Sequence, residues 1–113
     1  MLVWQRAREL VKLIYLHTES FPKSEEFGLK SQLRRAAVSV VLNIVEGYRR
    51  SSTKDYLHFL NISSGSLSET EAALEIALDL NLMSEKAYLE IESKRKEVGF
   101  LSHQLIKSLK LKQ

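Results

Sequence analysis

The chain has no cysteine, one proline, four glycines and one tryptophan in 113 residues. Without cysteine there are no disulfides, no thiolate nucleophile and no sulfur-ligated metal, a composition suited to a reducing compartment. Scarce glycine and proline leave few places for tight turns, which argues against sandwiches and barrels and for a few long helices. No run of about 18 apolar residues is present, so no membrane-spanning helix and no membrane partner are expected. The opening MLVWQRAREL brings charge in too early for the apolar region of a signal peptide, so the expected location is cytoplasmic.

What remains is an ordinary globular mixture, 44 % hydrophobic and 27 % charged, long enough for one domain over residues 1–113 with its own core. Val3, Ala7, Leu10 and Ile14, flanked by Trp4, Val11 and Tyr15, repeat at three and four and predict a first amphipathic helix that stops near Ser20, because Pro22 disfavours helical geometry at Phe21. Ser24 is the expected cap of a second helix, with Glu25 and Glu26 in its first turn. That helix carries a stripe of Leu29, Leu33, Ala36, Val40, Ile44 and Gly47 and ends between Tyr48 and Ser51. Ser52 or Thr53 can cap a third, whose seam Leu57, Leu60, Ser64, Leu67, Glu71, Leu74 and Leu78 includes two polar residues. Asn81 suits a helix end, and Ser84 can cap a fourth helix with Tyr88, Ile91, Val98, Leu105 and Leu109 on one side, widened by Phe100 and Leu101. Four such helices with short connections imply an all-α, antiparallel up-down-up-down four-helix bundle. Gly28 and Gly65 inside helical patterns each cost about 1 kcal/mol against alanine, and close helix contact is the expected reason.

Net charge is only +3, but its distribution is uneven. Six basic residues stand against Glu46 between Lys30 and Lys54, six against Glu97 from Lys94 to the end, and seven acids against Lys86 from Glu69 to Glu92. Blocks of this kind create positive and negative regions, favouring an anionic partner or head-to-tail self-association; the plainer alternative is solvated helix faces.

Catalytic and metal chemistry find little support. His17, His58 and His103 fall on three different helices, the Glu-x-x-His pattern of di-metal bundles is absent, and so are phosphate-cradling glycine loops and nucleophile elbows. No cofactor or metal is expected. The serine-rich ISSGSLSE run, residues 62–69, lies in a helical pattern where small residues permit close packing.

The polar residues of the second helix are more informative. Gln32, Arg35, Ser39, Asn43, Glu46 and Arg50 follow at spacings of three or four and form a ribbon beside the apolar stripe. Facing it across the bundle, Glu69 and Glu71 of the third helix could accept Arg35 or Arg50, giving an internal network of Arg35, Asn43, Glu46, Glu69 and Glu71. Arg34 and Arg49 point away from the ribbon. With Lys30, Arg50 and Lys54 they would form a basic strip bearing Tyr48 and Tyr56, a combination suited to RNA or single-stranded nucleic acid, although bundles that bind nothing carry such strips too.

These residues carry a resemblance that covers nearly the whole chain. Trp4, Ala7, Leu10, Ile14 and Tyr15, then Phe21 and Pro22, FGLKSQLRRAAVS at 27–39, NIVEG at 43–47, FLNISSGSLSETE at 59–71 and LIKSL at 105–109 resemble the small bundle proteins encoded within intervening sequences of bacterial 23S ribosomal RNA genes. The resemblance implies a non-enzymatic bundle that assembles as a ring-like homopentamer. It is shared with the accessory variability proteins of diversity-generating retroelements, which bind nucleic acid and a reverse transcriptase. It carries the family's polar positions onto Arg35, Asn43, Glu46, Gly47, Glu69 and Glu71. Where the family commonly has Ile-Pro-Ser, this chain has Val40, Val41 and Leu42. Loss of a mid-helix proline restores a backbone donor, and an outward Leu42 would enlarge an apolar surface.

The expected function is therefore a non-enzymatic, self-associating bundle that presents basic residues to ribosomal RNA, to another nucleic acid or to a nucleic-acid enzyme. The alternative is an oligomeric scaffold or protein-interaction module with no nucleic-acid role. A catalytic use of the Arg, Asn and Glu ribbon lacks a nucleophile or a poised base.

Overall fold

Helix boundaries in the computed structural model, which describes residues 1–113, follow local chemistry. Helix α1 (Leu2–Thr18) ends two residues earlier than the proline alone implies. The Thr18 hydroxyl turns back to donate to the Ile14 carbonyl at 2.7 Å. Helix α2 spans Leu29–Tyr48 and does not start at Ser24. Lys23–Glu25 instead form one turn of 3-10 helix, and the Glu25 carboxylate accepts from the Leu29 amide at 2.9 Å, serving an otherwise unpartnered donor of α2. Helix α3 (Thr53–Asp79) is capped by Ser52, whose hydroxyl accepts from the Asp55 amide at 3.1 Å. It closes through Asn81 at φ 59°, where the Leu82 amide returns to the Ala77 carbonyl at 2.9 Å. That is the left-handed stop for which asparagine is suited. Helix α4 (Glu85–Lys110) is capped by Ser84, which accepts from the Ala87 amide at 3.0 Å.

The helices surround one core in the order α1, α2, α3, α4, with α4 closing back on α1. Cross-helix contacts fix their directions. His17 meets Glu90 while Arg6 meets Glu97; Ser39 meets Ser66 while Gly47 meets Tyr56 and Phe59; Glu71 meets Arg95 while Leu67 lies against Gly99. In each pair one residue number rises as the other falls, so neighbours run antiparallel and the bundle is up-down-up-down. Leu10, Ile14, Leu33, Ile44, Leu60, Leu74 and Ile91 are fully buried at its centre, the main source of stability for amphipathic helices.

The anticipated seam of α3 is rotated slightly toward α2. Ser64 and Glu71 are only half-buried, while Ser63, Ser66 and Thr70 are the buried polar residues. The Ser63 hydroxyl donates to the Val40 carbonyl at 2.9 Å, so the serine-rich run is a packing surface for α2. Gly47 supplies the close approach: a Cβ there would come within 3.0 Å of Phe59 Cβ and 3.1 Å of the Tyr56 carbonyl oxygen. Gly28 and Gly65, expected to do this, do not. Gly28 lies exposed ahead of α2 and Gly65 has nothing within 4 Å.

Candidate nucleic-acid interface

The Arg35, Asn43, Glu46, Glu69, Glu71 network does not form as one unit. Arg35 and Glu69 are exposed and have no ionic partner within the chain. Glu46 pairs along its own helix with Arg50, whose guanidinium lies 4.8 Å from the Phe59 ring. Asn43 donates to the Ser39 carbonyl at 2.9 Å and to its hydroxyl at 3.1 Å, and Ser39 meets Ser66 at 2.8 Å. The ribbon thus closes on α3 through neutral hydroxyls.

Glu71 turns the other way. It accepts from Arg95 of α4 at 2.9 Å, and Arg95 Nε also donates to Glu92 at 2.7 Å. Glu92 is 7 % exposed, which makes this the buried charged cluster of the fold. Hydrogen bonding to Glu92, followed by the charges of Glu92 and Glu71, holds the Arg95 pKa above the ordinary arginine value against the opposing effect of burial. Sequence periodicity placed Glu71 on an inward face without saying which neighbour it met. The signal available was Glu92 and Arg95 at i, i+3, since two opposite charges near an apolar stripe need each other.

The expected basic strip divides into two ends. Lys30 is 7 % exposed and donates to Glu26 at 3.1 Å. Arg34 lies over Tyr15, its guanidinium carbon 4.3 Å from the ring centroid. It donates to the Thr18 hydroxyl at 3.0 Å, the Tyr15 carbonyl at 3.2 Å and Glu19 at 3.0 Å. Arg34 therefore closes the C-terminus of α1, where a cation complements unpaired carbonyls and the helix dipole. Its hydrogen bond, with the charges of Lys30 and Arg34, holds the Glu19 carboxyl below its ordinary pKa. At 1.5 Å per residue, Lys30 and Arg49 are about 28 Å apart along α2.

At that far end Arg49 and Lys54 are exposed and free of carboxylates, beside Arg50. The antiparallel register that sets Glu71 by Arg95 and Leu67 by Gly99 carries the start of α3 level with the end of α4. Lys107, Lys110 and Lys112, all exposed and unpaired, thus join the same end, although they are about 60 residues away in sequence. Only Glu46, already paired, and Asp55 oppose them. Tyr48 finishes α2 here with 63 % of its surface exposed, its ring 6.3 Å from that of Tyr56 at 77°. Lys107, Lys110 and Lys112, at and just beyond the end of α4, were visible in the sequence within a basic block, but nothing there joined them to Lys54.

Two side surfaces complete the picture. Between α1 and α2, Val11, Tyr15, Val38, Val41 and Leu42 line two adjoining depressions of about 350 and 240 Å³, rimmed by unpaired Lys12 and Arg35 and by Arg8, which rests on Trp4. Leu42 points outward and is 61 % exposed. On the outer face of α3, Ile62, Ile76 and Leu80 are exposed among Glu69, Glu75 and Asp79, which have no cationic partner.

The sequence profile described as 23S rRNA-intervening sequence protein matches residues 1–104. The chain belongs to this family. No curated protein matches it significantly. Among solved structures it is similar to the crystal structure of a protein with unknown function from the S23 ribosomal protein family of Bacteroides thetaiotaomicron VPI-5482, at 26 % identity and a TM-score of 0.84. That likeness covers 93 % of this chain and 98 % of the other. Of the polar positions that the family resemblance picks out, Asn43 and Gly47 serve the packing of α2 on α3, Glu71 joins the α3–α4 ion cluster and Glu46 pairs with Arg50, while Arg35 and Glu69 stay exposed. No helix is long and apolar enough to cross a membrane, and no three His, Asp or Glu side chains converge to hold a metal ion.

Proposed function

We propose that the protein is a non-enzymatic, self-assembling bundle that binds RNA, ribosomal RNA foremost, through its basic end. The observation that carries this reading is the separation of free charge. Arg49, Lys54, Lys107, Lys110 and Lys112 gather at one end without carboxylate partners, and a concentrated, unneutralised cationic surface attracts a polyanion. Membership of a family described by a ribosomal RNA intervening sequence supports RNA as that polyanion.

Assembly is supported by the two side faces. The basic-rimmed apolar groove of α1 and α2 complements the acidic, isoleucine-bearing face of α3, so copies can join head to tail and close into a ring, five in number by family resemblance. Exposed Gly65 would let a neighbouring helix approach the α3 backbone closely. The same complementarity favours a second reading, a scaffold with no nucleic acid at all, since it accounts for two of the three charged surfaces unaided.

Titrating labelled RNA at low and moderate salt separates the two readings. Binding that weakens as salt rises supports the first, and no binding at low salt leaves only the scaffold. Light scattering tests assembly. A monomer at micromolar concentration would remove the ring, whereas loss of the oligomer in Leu42→Glu would place the groove in the interface.

A further inference from the structure

We infer that the basic end takes a single strand of RNA, one unstacked base packing on Tyr48 while Arg49, Lys54 and the lysines of the α4 terminus hold the flanking phosphates. This rests on the RNA-binding reading above and adds the form of the ligand and the residue that selects it.

Three observations combine. Tyr48 is the terminal residue of α2 and 63 % exposed, while its contact with Tyr56 at 77° holds the ring in place, so the platform is preordered. A duplex keeps its base faces stacked and has nothing to offer an isolated aromatic ring; an open strand or loop does.

The cations of this end come from two separate segments, Arg49 to Lys54 beside Tyr48 and Lys107 to Lys112 on the far side of α3, so they are spread across the end instead of running in one line. Such a layout suits a backbone that bends around a base. The bundle is 24 × 19 Å across its shorter axes, comparable with the width of a helical duplex, which would touch so small an end through a few phosphates only. A flexible strand can reach all the cations.

The side chains here are also free to act. Arg34 and Lys30 are held by Glu19, Glu26 and the end of α1, but Arg49, Lys54, Lys107, Lys110 and Lys112 have no internal task. The Tyr48 side chain meets Tyr56 through its ring, and its hydroxyl makes no hydrogen bond to another side chain or to the backbone. Substitutions at this end therefore read binding and not folding.

The test uses the full chain and an unstructured RNA of about ten nucleotides, alone or annealed to its complement. Fluorescence anisotropy should show the single strand binding at least about tenfold more tightly than the duplex. Tyr48→Ala should lose about tenfold for the single strand and little for the duplex, and Tyr48→Phe, which keeps the ring, should restore it. Circular dichroism of both variants should match the parent. A duplex bound as tightly as the single strand, or a folded Tyr48→Ala with unchanged affinity, would overturn the inference and leave RNA binding intact. Failure of either RNA to bind at low salt would instead overturn the RNA-binding reading and this inference with it.

Discussion

Where α1 ends and α2 begins, Lys30 and Arg34 are drawn into the fold; at the opposite end, Arg49 and Lys54 extend into solvent. The four residues lie on one helix or just beyond it and have the same charge. They differ in what the neighbouring connection supplies. The segment from Glu19 to Glu26 brings carboxylates and the open carbonyls of α1 to the first pair. The turn from Arg49 to Ser52 brings no carboxylate to the second, and its other cation, Arg50, is already held by Glu46. A cation beside a helix C-terminus and an acid is a fastening, and a cation among cations is available to an outside anion.

The largest expected effect lies between the ends. Glu92→Ala should destabilise the fold by about 2–3 kcal/mol, measured by urea denaturation, because it leaves the mostly buried Arg95 with half-exposed Glu71 as its one remaining carboxylate. Glu71→Ala should fall well below that, since its carboxylate is 42 % exposed and Glu92 remains. Equal losses would mean that both acids share the arginine evenly. Next, Arg34→Ala should cost about 1–3 kcal/mol by stranding the end of α1, whereas Arg49→Ala should stay within about 0.5 kcal/mol. Similar melting temperatures for these two variants would erase the distinction between the ends.

A smaller effect is expected at Gly65, where alanine should raise the stability of the isolated subunit by up to about 1 kcal/mol while weakening assembly, read by denaturation at low and high protein concentration. Smallest is the response to acid. The carboxyls of Glu19, bonded by Arg34, and Glu9, bonded by Arg6 and then Lys94, are held below the ordinary value of 4.5 in the fold. Their contribution is therefore complete above pH 4.5 and disappears as pH falls through their lowered values. Thermal stability should be flat through the mildly acidic range and decline below it; Glu19→Gln should reduce the decline.

Much of the fold was legible in the chain because it depends on local signals. Ser52, Ser84 and Asn81 act through their own backbone, and the apolar stripes of α1 and α2 report a period that any bundle must respect. The start of α2 was misplaced because Ser24 looked like a cap followed by Glu25 and Glu26 in a first turn, yet the Glu25 carboxylate reaches the Leu29 amide from a preceding 3-10 turn. The site was less legible. Periodicity puts Glu71 and Arg34 on a face but does not give the helix rotation that selects α4 for one and the end of α1 for the other. Lys107, Lys110 and Lys112 needed the register of α3 against α4 before they could be counted with Lys54.

The central claim is that unpaired charge at one end of the bundle is what RNA meets. It is tested most directly by the salt dependence of RNA binding in the parent and in Arg49→Ala plus Lys54→Ala, between about 50 and 200 mM salt. The account predicts weaker binding in the double variant, with the slope of log affinity against log salt reduced by about 1.4 for two lost contacts to a single strand, and no change in melting temperature. Parent and variant binding with the same affinity and the same slope would contradict it.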